Sequence, residues 1–109
     1  MATEYKILAQ AAPSATTNTD VFTVGAGKQV VLSTITVANR STSSASYRIA
    51  LRKNGATLSN EQYVAYDVTV AANDTTAMTL GITLGAGDIV TVYTSTSNIS
   101  FNLFGSEIS

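Results

Sequence analysis

The stretch Gln29 to Asn39, QVVLSTITVAN, constrains the fold more than any other part of the chain. Val30, Val31, Thr34, Ile35, Thr36 and Val37 are β-branched, and two heavy atoms on Cβ crowd a helix but suit a pleated surface. The composition of this run predicts a strand. Gly25 and Gly27 precede it and the polar cluster Arg40 to Ser44 follows it, so both ends carry turn residues. Val31, Ile35 and Val37 fall on one parity and Val30, Leu32 and Ala38 on the other, which predicts a central strand covered on both faces.

The remaining segments are short and also strand-like. Glu4 to Gln10 reads as a first strand at a sheet edge, and Ala11 to Asn18, AAPSATTN, as an extended connection or an arm laid on a neighbouring subunit. Asp20 to Val24 is a strand anchored by Phe22, with Gly25 to Lys28 as a hairpin turn into the central strand. Ser46 to Lys53 alternates, which sends Tyr47, Ile49 and Leu51 inward and Arg48 and Arg52 outward. Asn54 and Gly55 tolerate positive φ and predict a tight hairpin, with Gln62 to Val70 as the returning strand. Asn73 and Asp74 make a turn into Thr75 to Leu84, in which Gly81 marks a bulge. Gly85 to Asp88 turns into Ile89 to Thr94, then Ile99 to Phe104 alternates as a last strand before a polar tail from Gly105 to Ser109. The echo between VGAGKQVVLST and LGAGDIVTVYT reads as two similar hairpins rather than a duplication. About eight short strands and no amphipathic helix predict one antiparallel β-sandwich or jelly-roll-like domain over residues 1–109, with 1–18 as first strand plus arm.

Chemistry is sparse. Histidine and cysteine are absent, which removes a Ser-His-Asp arrangement, thiolate chemistry and any disulfide framework. The carboxylates Glu4, Asp20, Glu61, Asp67, Asp74, Asp88 and Glu107 are scattered, and Asp74 and Asp88 fall at turns where their side chains bond nearby backbone. No EF-hand spacing occurs, and neither Gly-Ala-Gly turn carries the lysine and hydroxyl of a phosphate loop. These observations predict no catalytic, cofactor or metal residues and no enzyme. Lys6, Lys28, Arg40, Arg48, Arg52 and Lys53 never cluster beyond a pair and net charge is −1, so nucleic acid is not an expected partner. No secretory start and no long apolar window is present, which predicts a protein made soluble in the cytosol with no membrane partner. The three Asn-x-Ser/Thr triplets at Asn39, Asn73 and Asn98 are those expected by chance in so Ser- and Thr-rich a chain.

What remains is surface. Charged residues are only 12% of the chain, and interface centres are depleted of charge. Tyr63 and Tyr66 lie three apart, hence on opposite faces of a strand, and at least one is expected beside Arg48 or Arg52. An aromatic platform for sugars, a subunit interface and tyrosines packed at the rim all fit that pattern. Tyr5 and Ile7 on the expected edge strand and Pro13 on the arm complete the candidate interface residues.

The run YKILAQAAPSATTNTDVFTVGAGKQVVLSTITVANRSTSSASYRIALR, followed by NEQYVAYDVTVAANDTTAMTLGITLGAGDIVTVYTSTSNISFNLFGSEI, resembles small virion structural proteins of tailed bacteriophages, including phages of cyanobacteria. The points that carry the likeness are the Tyr5-Lys6 start, the Asn39-Arg40-Ser41 corner, Tyr63 to Asp67, the Asn73-Asp74-Thr75 turn and the Phe101 to Glu107 ending. The resemblance implies a β-sandwich on the virion, assembled in the host cytoplasm, as a cement or decoration protein bound to the major capsid protein. A tail-associated component in contact with tail proteins or host glycans is the alternative. It also implies a homo-oligomer, a trimer or another symmetric multimer. On that reading, loss of residues 1–17 weakens attachment more than it destabilises the sandwich.

Overall fold

The computed structural model describes residues 2–109. Eight strands carry the fold: β1 (Thr3–Ala11), β2 (Thr19–Thr23), β3 (Gln29–Asn39), β4 (Ala45–Arg52), β5 (Tyr63–Val70), β6 (Thr75–Leu84), β7 (Ile89–Thr94) and β8 (Ile99–Ile108). They form two four-stranded antiparallel sheets, β1-β8-β3-β6 and β2-β7-β4-β5. The pairs β1·β8, β2·β7, β3·β6 and β4·β5 are those of one long ribbon folded back at the β4–β5 connection. Wrapping that ribbon so that alternate pairs fall in opposite sheets, with β3·β8 and β4·β7 as the seams, gives a jelly roll.

The core is the space between the sheets. Val30, Leu32, Ile35 and Val37 of β3, Tyr47 and Ile49 of β4, Val90 and Val92 of β7, and Ile99, Phe101 and Leu103 of β8 are all buried. Tyr47 meets Phe101 edge to face at 6.2 Å, joining one sheet to the other, and burial pushes the Tyr47 hydroxyl above its ordinary pKa.

The wrap corrects two expectations. β2 and β3 lie in different sheets, as do β6 and β7, so the Gly-Ala-Gly turns are arches between sheets and not hairpins. They sit side by side, with Val24 N–H donating to Asp88 O at 3.0 Å and Gly87 N–H to Val24 O at 3.0 Å. Both strands of one ribbon must change sheet at the same level, which accounts for the echo without duplication. Asn54 and Gly55 do take positive φ, 53° and 68°, but within a 3₁₀ turn, and β5 starts only after a second such turn at Asn60–Gln62.

β3 also departs from the expected parity. Its buried residues switch from even to odd numbers because Ser33 is an extra residue relative to β8, where Leu32 faces Gly105 and Thr34 faces Phe104. The outer face of β3 is therefore half exposed rather than covered. The crease continues across the sheet: Leu8 is the extra residue on β1, and residues 80–81 of β6 oppose Ser33 alone, with Gly81 at φ 62° as its glycine signal predicts. The expected polar tail is instead the second half of β8, paired on one side with β1 and on the other with β3.

Residues 1–18 contain no detachable arm within the described part. β1 is laddered to β8 from Thr3 to Ala11, and Pro13 is buried. Thr16 N–H then donates to Thr94 O at 2.7 Å. Removing residues 1–17 would strip one side of β8, so truncation tests folding rather than attachment.

Two substitutions test this account. A Cβ on Gly105 would run into the Val31 carbonyl and lie 3.1 Å from Leu32 Cα, so Gly105→Ala should cost about 1–3 kcal/mol in urea unfolding. Thr94 is buried against the core and its Oγ1 has no partner among the described residues. Thr94→Val keeps the shape and removes that hydroxyl, and should leave stability unchanged or raise it by up to about 1 kcal/mol. A loss beyond that range would mean the hydroxyl is satisfied.

Candidate functional site

Two outer surfaces gather most of the exposed apolar and aromatic side chains. The first lies on the outside of the β1-β8-β3-β6 sheet, beyond the crease. Tyr5 pairs in register with Ser106 and Ile7 with Phe104, and Val31 pairs with Ser106 from the other side. These residues and Ser33 line a shallow, mainly apolar depression of about 600 Å³. Tyr5 is 86% exposed and Ile7 52%. The depression ends at the open edge of β1, a strand with nothing paired on its outer side among the described residues.

Ion pairing fixes that corner. Glu107 of β8, largely covered, accepts from Lys6 Nζ at 3.1 Å and from Lys28 Nζ at 3.4 Å. The Lys6 hydrogen bond, reinforced by the charge of Lys28, holds the Glu107 carboxyl below its ordinary pKa, and the same bond raises Lys6.

The second surface lies outside the β2-β7-β4-β5 sheet. Two extra residues on β5, at Val64 and within Tyr66–Asp67, break its alternation, with Asp67 at φ 51°. The bulge at Val64 brings Tyr63 and Tyr66 to the same side, where their rings meet edge to face at 4.9 Å, which corrects the expectation of opposite faces. Arg48 lies between Tyr66 and Tyr93, 4.2 and 4.3 Å from the ring centroids, and its Nε donates to Asp67 Oδ1 at 2.7 Å. The aspartate hydrogen bond raises the Arg48 pKa further. Arg52 is tied to Asp20 at 2.9 Å and to the carbonyl of Ala56 at 2.8 Å. Both arginines point outward as the alternation predicts, but each is engaged within the chain.

The structure thus brings Arg48, Arg52, Tyr63 and Tyr66 to one face and Tyr5 and Ile7 to another, and buries Pro13. Sequence reading missed Phe104, Val31 and Tyr93. Phe104 shares a parity with Ser100 and Asn102, and an aromatic on an otherwise polar face was the available signal. Among the described residues no three His, Cys, Asp or Glu side chains gather as a metal site, and no helix is long and apolar enough to cross a membrane. Asn39, the buried polar residue of the corner before β4, is consumed structurally: Nδ2 donates to Ser43 O and Val70 O at 2.9 and 3.1 Å, and Oδ1 accepts from Ser41.

Comparison with protein-family models, with curated proteins and with solved structures finds no match.

The Glu107 corner gives a pH prediction. A carboxylate whose folded pKa is lowered stabilises the fold above its unfolded value of about 4.5 and stops doing so as pH falls through the folded value. Glu107→Gln should therefore melt lower than wild type at pH 7, and the difference should shrink as pH is lowered below about 4.5, in low salt. Equal melting temperatures at pH 7 would show that the two lysines contribute nothing there.

Proposed function

We propose that this chain is a structural protein of a tailed-bacteriophage virion, a cement or decoration protein that binds across junctions of the major capsid protein. The observation that carries the reading is the apolar depression lined by Tyr5, Ile7, Val31 and Phe104, open to solvent beside an unpaired strand edge. Large apolar patches on a small domain mark contact surfaces, and an open edge adds backbone hydrogen bonds to side-chain contact. The resemblance supplies the partner's identity. A particle presents many equivalent junctions, so each copy need bind only modestly.

A second reading, a tail or fibre module that contacts host glycans, draws on the other face. Tyr66 is 56% exposed and its ring is held by Arg48 and Tyr63, as an aromatic sugar platform requires.

Cosedimentation with phage heads assembled without the protein separates the two. Saturable binding of many copies per head, with heads that withstand higher temperature, is the expected result. The double substitution Tyr5→Ser, Ile7→Ser should weaken binding by about tenfold or more, since each side chain buries apolar surface worth roughly 1.5 kcal/mol or more. Binding to few or no head sites would favour the tail reading, with Tyr66→Ala then scored on host-surface glycans.

A further inference from the structure

We infer that two copies of this chain pair edge to edge through β1, antiparallel about a two-fold axis at Tyr5, so that two four-stranded sheets become one of eight strands.

The backbone sets the first condition. Ala2 and Ser109 exchange both backbone hydrogen bonds, at 2.9 Å each. In an antiparallel ladder such pairs alternate, so with Thr3 opposite Ile108 the groups of Glu4 and Lys6 also turn toward β8. Those of Thr3, Tyr5 and Ile7 turn to the open edge. An incoming copy must therefore place odd residues opposite odd residues. The bulge at Leu8 ends the regular edge and confines pairing to residues 3–7.

Charge chooses among the registers that remain. With Thr3 opposite Tyr5 of the partner subunit, Glu4 would face Glu4 of the partner subunit. With Tyr5 opposite Ile7 of the partner subunit, Lys6 would face Lys6 of the partner subunit. With Tyr5 opposite Tyr5 of the partner subunit, Glu4 faces Lys6 of the partner subunit, twice by symmetry. Directly opposed like charges are destabilising and opposite charges stabilising, most closely at the pairs that exchange no hydrogen bonds across the interface, which is where Glu4 and Lys6 fall. Glu4 makes no ion pair among the described residues and faces Glu107 across its own ladder. Lys6 already reaches Glu107, and 42% of its side chain is exposed, so it can serve Glu4 of the partner subunit as well.

The other three edges offer less. β2 has five residues with a shift inside, β5 is twice bulged, and β6 is creased and carries no charge to fix a register. The two-fold replaces the three-fold symmetry that the resemblance favoured, and it stands independently of the virion reading.

Sedimentation equilibrium on the full chain tests this, with circular dichroism to follow the fold. Wild type should show a monomer–dimer equilibrium. Tyr5→Pro removes a donor that faces the open edge and none that faces β8, and should weaken dimerisation by roughly tenfold or more in a folded chain. Glu4→Lys and Lys6→Glu should each be monomeric alone, and an equimolar mixture should form a heterodimer, because the introduced charges complement each other only across the two variants. Glu4→Lys keeps the Lys6–Glu107 pair, so it remains a sound test if Lys6→Glu loosens β1. A wild type that stays monomeric at millimolar concentration, a trimer, or charge variants that self-associate as wild type does would each overturn the inference.

Discussion

β8 is hydrogen-bonded on both sides, to β1 and to β3, and the rest of the sandwich depends on that middle position. It carries Ile99, Phe101 and Leu103 into the core, and Phe101 meets Tyr47 from the opposite sheet. The first strand has no other neighbour, so without β8 both β1 and the outer flank of β3 would present unpaired backbone. The eighth strand thus pairs with the first, across nearly the whole of the sequence. Such a topology is dominated by contacts distant in sequence, and loop closure must precede most of the burial that rewards it.

Where one strand keeps one period, the sequence was legible. β4 sends Tyr47 and Ile49 inward and its arginines outward, and the first half of β8 buries Ile99, Phe101 and Leu103, as alternation alone requires. The illegible parts are those decided by a neighbouring strand. Nothing local at Ser33 announces a bulge, since Ser33 is extra only relative to Gly105 and Phe104, and a one-residue shift transfers every later side chain to the other face. β5 behaves likewise: the same-side placement of Tyr63 and Tyr66 follows from one extra residue, Val64, measured against β4. A Gly-Ala-Gly turn specifies that the chain reverses, not whether it returns to the same sheet, so the arches at Gly25 and Gly85 read as hairpins. On the second face the outward direction of Arg48 and Arg52 was legible from alternation, but the meeting of Tyr63 with Tyr66 was not, nor was the locking of Arg48 between rings and against Asp67.

This chain carries little charge, and apart from Arg48–Asp67 on the consecutive strands β4 and β5 the ion pairs among the described residues fall where strands from distant parts of the sequence meet. Lys6 and Lys28 converge on Glu107 where β1, β3 and β8 end, and Arg52 joins the β4 end to Asp20 of β2. Exposed pairs of this kind contribute little each. Their value is in register, because each one distinguishes the native pairing from a neighbouring alternative two residues away.

A small β-sandwich must also keep its open edges from pairing at random. A lysine on an edge strand commonly blocks addition, because a second strand would bury or oppose its charge. Lys6 alone on β1 would act so. Glu4, two residues earlier on the same face, would change the result under the proposed pairing: it would turn a general barrier into a filter that rejects like-charged registers and admits one. A two-fold perpendicular to the sheet also leaves both outer faces on one side, so the depressions at Tyr5 and Ile7 of the two copies would form one apolar floor. A binding surface divided between two linked copies gains from effective concentration. On the proposed pairing it could therefore remain small and charge-poor on each copy, in keeping with the 12% charged residues of this chain.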